Sequence, residues 1–94
     1  MIAKYRIKEI FKITGRGLVL AGYIEDGEVS VGDYIEFAVY GKIIKRRISG
    51  IEGIRKVNSE KTNTGIFIEC NNENEINELV QWRPKDDIGL ITIN

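Results

Sequence analysis

Histidine is absent from this chain of 94 residues, and cysteine, proline and tryptophan each occur once. Without histidine there is no Ser–His or Cys–His nucleophile couple, and the commonest zinc ligand is missing. The single cysteine, Cys70, cannot form an intramolecular disulfide. Its neighbours Ile66, Phe67 and Ile68 predict a strand with a buried, unreactive thiol. These absences lead us to expect a protein that is not an enzyme, with no catalytic residues, metal or cofactor.

Long apolar runs are also missing. No run is long enough to cross a membrane, and residues 1–6 lack the apolar stretch of a secretory signal peptide. We therefore expect a cytoplasmic protein. Hydrophobic residues make up 43% and charged residues 30% of the chain, which is typical of a folded globular protein. The length predicts one domain, residues 1–94, with a small core.

Charge is balanced overall but unevenly distributed. The formal net charge is zero, which argues against strong attraction of the whole molecule to nucleic acid. Residues 1–56 contain 11 Lys and Arg against 7 Asp and Glu, whereas residues 57–94 contain 3 against 7. A basic surface on one side of the fold would explain this asymmetry, and so would ordinary solvated surface charge. The residues that could form the basic surface are Arg16, Lys42, Lys45, Arg46 and Arg47.

The apolar pattern predicts strands and almost no helix. Apolar and polar residues alternate from residue 5 to residue 13, but Ile10 and Phe11 are both apolar, so the alternation changes phase there. A β-bulge, or a strand buried on both faces, would explain the change. Gly22 lies inside an apolar run, and a glycine in that position predicts a bulge or a close approach of two backbones.

About seven short strands are expected, separated by turn signals at Asp26-Gly27, Gly32-Asp33 and Gly41-Lys42. Ile76 and Leu79 lie three residues apart and predict a short helical turn. The fold class that follows is all-β, a small closed antiparallel β-barrel. We expect strands at 5–13, 18–24, 34–40, 43–54, 64–70 and 88–93, a loop at 55–63 and the helical turn at 73–79.

Three glycine-containing motifs occur in order within residues 9–70. They are GRGLVLAGYIEDGEVSVG at 15–32, ISGIEGIRK at 48–56 and NTGIFI at 63–68. Together they resemble the second domain, a β-barrel, of translation GTPases such as elongation factor Tu. The corresponding family patterns are G-R-G-x-V-x-x-G-x-[VI]-E-x-G-x-[VI]-x-V-G, T-G-[VI]-E-x-x-R-K and N-V-G-[VI]-x-[LV]. The resemblance implies the barrel fold of that domain.

The resemblance also implies a binding site. In the family this domain receives the aminoacylated 3′ end of tRNA in a surface pocket and contacts RNA of the small ribosomal subunit. The matched pocket positions are Glu9, Phe11, Glu52 and Asn63. Carboxylate and amide groups can hydrogen-bond the terminal ribose and base edges, and an aromatic ring can pack on them.

Each matched residue has a structural explanation as well. We favour a core position for Phe11, and Glu52 could instead pair with Arg55 or Lys56. Arg16 lies between two glycines expected at positive φ, in a turn that would project the side chain to meet phosphate or carboxylate. Alternatively, the stem of Arg16 only covers the end of the barrel.

Other features depart from the family or suggest different chemistry. No G-x-x-x-x-G-K-[ST] loop is present, so the chain does not bind GTP in the family's way. ELVQW at 78–82 replaces the family's R-G-x-V-L turn. We expect Trp82 to pack on the core, whereas an exposed Trp82 would mark a partner site. Asp86-Asp87 could bind Mg²⁺, but solvated charge is the favoured explanation.

The expected function is a non-enzymatic binding module that contacts tRNA, ribosomal RNA or a translation protein. Lys45 and Arg47 share one face of a predicted strand and Arg46 lies on the other. RNA binding through this surface should weaken with added salt and with Arg47→Ala. The alternative is a protein–protein adaptor, or a mimic of the barrel, that uses the acidic segment 69–78 and an exposed Trp82.

Overall fold

The computed structural model describes residues 2–53, 64–84 and 86–93. The predicted loop at 55–63 lies outside these residues. Six strands are found in the described ranges, one for each of the six predicted strand ranges, so the count of about seven is one too many there. Between the second and third strands, the Asp33 carboxylate accepts a hydrogen bond from the Ser30 amide at 2.8 Å. The elements are β1 (Ala3–Ile13), β2 (Gly17–Gly27), β3 (Tyr34–Val39), β4 (Lys42–Gly53), β5 (Thr64–Ile68), α1 (Glu73–Trp82) and β6 (Asp87–Thr92).

The strands close into one barrel in the order β1-β2-β5-β4-β3-β6. Every neighbouring pair is antiparallel. Closure pairs the first strand with the last and so removes the open sheet edges that would otherwise invite aggregation. The prediction of an all-β, small closed antiparallel barrel is confirmed.

Side chains from all six strands fill the barrel interior. The buried Tyr5 side chain carries a hydroxyl that lies 3.0 Å from the Leu20 carbonyl oxygen and 2.5 Å from that of Thr64. Burial raises the pKa of Tyr5, so the hydroxyl stays protonated and able to donate. The buried core consists of Ala3, Tyr5, Ile7, Leu18, Leu20, Ile35, Phe37, Val39, Ile48, Ile66, Ile68, Leu79 and Ile91.

A β-bulge in β1 produces the change of phase seen in the sequence. Ile7 pairs with Gly22 and Glu9 pairs with Ala21, so Lys8 is the extra residue in β1. A Cβ atom on Gly22 would lie 1.8 Å from the Arg6 carbonyl oxygen. The expected bulge and the expected close backbone approach at Gly22 are therefore both confirmed, and they are the same feature.

Helix α1 packs against the barrel and is longer than the predicted turn, with ten residues. The Asn72 side chain caps its first turn by accepting from the Glu75 amide at 2.9 Å. Leu79 is buried in the core, and the Trp82 ring stacks on Phe37 with centroids 5.4 Å apart. This is the packing role expected of Trp82. No helix within the described ranges could span a bilayer, which requires about 20 apolar residues.

Substitution of Gly22 tests the bulge. Gly22→Ala forces a methyl group against the Arg6 backbone carbonyl and should lower the free energy of unfolding by on the order of 3 kcal/mol. Urea unfolding followed by circular dichroism measures the change. Gly53→Ala is the matched control, because a Cβ there meets no atom of the described residues within 4 Å. A Gly22→Ala protein as stable as the Gly53→Ala protein would contradict the close approach.

Candidate functional site

Pairing across four strands brings two of the predicted pocket residues into one row on the outside of the barrel. Glu9 in β1 pairs with Ala21, Ala21 with Gly65, and Gly65 with Glu52 in β4. Residues directly opposite one another in antiparallel strands share a face. The two residues are three strand spacings apart, roughly 14 Å along the sheet. Ala21 and Gly65, which lie between them in the row, are both buried.

Phe11 lies in the adjacent row on the same face. It pairs with Val19, which pairs with Phe67, and Phe67 pairs with Gly50. The side chain of Phe11 is 37% exposed, so the favoured core position is wrong. The bulge explains the error, because Ile10 packs on the core after it and Phe11 points out. We call these two rows the outer face of β1-β2-β5-β4.

Arg16 is anchored beside this outer face. Gly15 and Gly17 have φ values of 82° and 93°, as expected for the turn between β1 and β2. The guanidinium lies 4.2 Å from the centre of the Phe67 ring and 2.6 Å from the Glu52 carboxylate. Both charged side chains are about half exposed, at 51% and 49%. Arg16 therefore meets a carboxylate of its own chain. Arg55 and Lys56, the other partners considered for Glu52, lie outside the described residues.

Glu9 and Phe11 line a pocket of about 390 Å³ beside β1. The opposite wall comes from the end of α1 and the residues after it, including Arg83. Sequence reasoning did not select Arg83. The signal that could have found it is the departure from the family pattern at 78–82, directly before Arg83. Asn63, the remaining matched position, lies outside the described residues.

The expected basic surface is largely paired with carboxylates. Register confirms that Lys45 and Arg47 lie on one face of β4 with Arg46 on the other. Lys45 is 3.8 Å from the Glu36 carboxylate, and Arg47 is 2.7 Å from that of Glu69. Of the five candidate cations, only Lys42 has no ion pair within the described ranges. Four of the five candidate cations therefore have a carboxylate partner.

Arg46 and Glu75 form the most buried ion pair among the described residues. Two guanidinium nitrogens lie 2.8 and 2.6 Å from the two carboxylate oxygens, and the side chains are only 20% and 17% exposed. Hydrogen bonding by Arg46 lowers the pKa of Glu75, and the same bond raises the pKa of Arg46. Burial, and then Glu75, raise the pKa of Cys70 to about 11, so that thiol is protonated and unreactive at neutral pH.

The β3–β4 hairpin presents a second exposed feature. Tyr40 and Gly41 have φ values of 49° and 81°, which is typical of a two-residue hairpin turn. Tyr40 is 71% exposed and Ile43 is 74% exposed. A pocket of about 260 Å³ lies between this hairpin and α1, with Tyr40, Lys42 and Glu78 in its lining. The hairpin tip therefore offers apolar surface to a partner.

Comparison of the chain with protein-family models found no match.

The Arg46–Glu75 pair predicts a dependence of stability on pH. The folded state holds the pKa of Glu75 below its ordinary value of 4.5. The stability that the ionised Glu75 contributes is therefore fully present above about pH 4.5. It is lost as the pH falls through the lower pKa that Glu75 has in the folded state. Glu75→Gln should lower the free energy of unfolding by about 2 kcal/mol at pH 7 and flatten this acid-side decline.

Urea unfolding between pH 3 and pH 7 measures the decline. Glu28→Gln serves as the control, because Glu28 is exposed and makes no ion pair within residues 2–53, 64–84 and 86–93. If the free energy of unfolding falls by the same amount between pH 7 and pH 3 in Glu75→Gln and in Glu28→Gln, the Arg46–Glu75 pair does not cause the loss of stability at low pH.

Proposed function

We propose that this chain is a non-enzymatic binding module on a barrel like the second domain of elongation factor Tu, and that it binds RNA in translation. The aminoacylated 3′ end of tRNA is the ligand that we assign to the outer face of β1-β2-β5-β4. The observation that carries the proposal is the strand register. Glu9 and Phe11 of β1 and Glu52 of β4, which are about 40 residues apart in the sequence, occupy two adjacent rows on that face.

The chemistry of these residues suits the end of a single strand of RNA. An exposed aromatic ring such as Phe11 gives a surface on which a base can stack. The carboxylates of Glu9 and Glu52 can accept hydrogen bonds from ribose hydroxyls or exocyclic amines. The pocket beside Glu9 and Phe11 has a volume of about 390 Å³, which falls in the usual range for ligand sites.

The ion pairs favour binding of RNA by the outer face of β1-β2-β5-β4 over binding by a patch of basic side chains. Lys45, Arg46 and Arg47 already contact carboxylates, so a phosphate would have to compete with Glu36, Glu75 and Glu69. Electrostatic attraction to RNA is correspondingly reduced. Binding through base stacking and hydrogen bonds then predicts a shallow dependence on salt.

A protein–protein adaptor is the second candidate, and the β3–β4 hairpin favours it. Tyr40 and Ile43 are large apolar side chains at the hairpin tip, and they are 71% and 74% exposed. Exposed tyrosine is enriched among the residues that dominate protein interfaces. A protein partner such as a translation GTPase would use this tip, which lies apart from the rows that contain Phe11.

The two candidates are separated by one pair of substitutions. Phe11→Ala should weaken binding of aminoacylated tRNA about tenfold, because base stacking on an aromatic ring contributes roughly 1–3 kcal/mol. Tyr40→Ala is the matched control and should leave the affinity unchanged. Fluorescence anisotropy with labelled aminoacylated tRNA, and with the same tRNA lacking its last nucleotide, gives both affinities.

Equal affinity for the complete and the shortened tRNA would contradict the assignment of the tRNA 3′ end as the ligand of the outer face. A protein partner recovered from lysate after nuclease treatment, and lost with Tyr40→Ala but not with Phe11→Ala, would support the adaptor instead.

A further inference from the structure

The pocket of about 390 Å³ beside β1 contains a basic residue that the motifs do not include. Arg83 directly follows α1 and its side chain is exposed. It makes no ion pair with any other residue in the described parts of the chain. Most other cations near the outer face and the β3–β4 hairpin have carboxylate partners, so Arg83 differs from them in being available to a ligand.

The backbone of Arg83 is held in an unfavourable conformation. Its φ of 53° and ψ of 75° lie in the left-handed region, where a helix end normally has glycine. Its neighbours fix it there, because the Trp82 ring stacks on Phe37 and Pro84 is buried. An arginine that persists where glycine would be less strained points to a use for its side chain.

The pocket combines three kinds of group. Arg83 supplies a cation, Glu9 a carboxylate and Phe11 an aromatic ring. A ligand that matches all three has an anionic group, hydrogen-bond donors and a flat ring. A nucleotide has these as its phosphate, its ribose hydroxyls and its base. The remaining lining residues are Ile10, Val80 and Pro84, which are apolar.

We infer that Arg83 binds the phosphate that joins the 3′-terminal nucleotide of single-stranded RNA to the rest of the strand. The terminal nucleoside then lies against Phe11 and Glu9. The inference rests on the proposed RNA-binding function and adds to it a phosphate contact made by the segment after α1. The competing explanation is structural, because a cation at the end of a helix also stabilises the helix dipole.

Two RNA oligonucleotides of one sequence test the contact, one natural and one with a neutral methylphosphonate at its last linkage. Wild-type protein should bind the neutral oligonucleotide about tenfold more weakly, since a charge-assisted hydrogen bond is lost. Arg83→Gln should bind the natural oligonucleotide about tenfold more weakly, with no further loss on the neutral one. The salt slope of log K should fall in magnitude by about 0.7 with Arg83→Gln.

Further variants separate a ligand contact from a folding role. Arg83→Lys keeps the charge and should retain most of the affinity. Arg83→Gly relieves the left-handed backbone, so its Tm should be unchanged or higher while its affinity falls as in Arg83→Gln. Lys42→Gln removes a cation without an ion pair in the described residues, at the far hairpin, and should bind as wild type does.

Three outcomes would overturn the inference. If Arg83→Gln binds the natural oligonucleotide as wild type does, or loses affinity equally for both oligonucleotides, Arg83 does not contact that phosphate. If wild type binds the RNA, but a peptide with a C-terminal carboxylate competes for the pocket and binds with higher affinity than the RNA, the anion site belongs to a protein partner. If wild type binds neither oligonucleotide, the proposed RNA-binding function is wrong. In the two preceding outcomes wild type still binds RNA, so only the phosphate contact of Arg83 is contradicted.

Discussion

The close approach of two backbones at Gly22 is the constraint on which the rest of the barrel surface depends. With no Cβ at that position, β1 accommodates the extra residue Lys8 while keeping its pairing with β2. The extra residue reverses which side chains face the core, so Ile10 packs inward and Phe11 points out. Without the bulge, the strand alternation would direct Glu9 towards the apolar interior, where an unpaired carboxylate is strongly unfavourable.

Ion pairs also join the barrel strands to helix α1. Lys12 contacts Glu73 of α1 at 3.2 Å, and Arg46 contacts Glu75 in the same first turn of the helix. The exposed pair contributes little, whereas the buried one has two short hydrogen bonds and excludes most solvent. These pairs explain how a chain with separate basic and acidic halves is locally neutral, because the halves meet across the fold.

The pocket beside β1 joins residues from the two ends of the chain. Glu9 and Phe11 come from β1, and Arg83 and Pro84 come from the segment after α1. Helix α1 makes this possible, since Trp82 anchors its last turn on Phe37 and brings the following residues to the pocket. The segment directly after α1 therefore gives the pocket its cation.

The sequence by itself determined the fold class, the positive-φ glycines around Arg16 and the opposite faces of Arg46 and Arg47. All of these follow from local pattern, because strand alternation and glycine conformations are properties of a few adjacent residues. Only the tertiary structure decided that Arg16 pairs with Glu52, that Phe11 is exposed and that Arg83 and Glu9 line one pocket. Those relations depend on strand register and on where α1 ends, which long-range packing sets and no local pattern encodes.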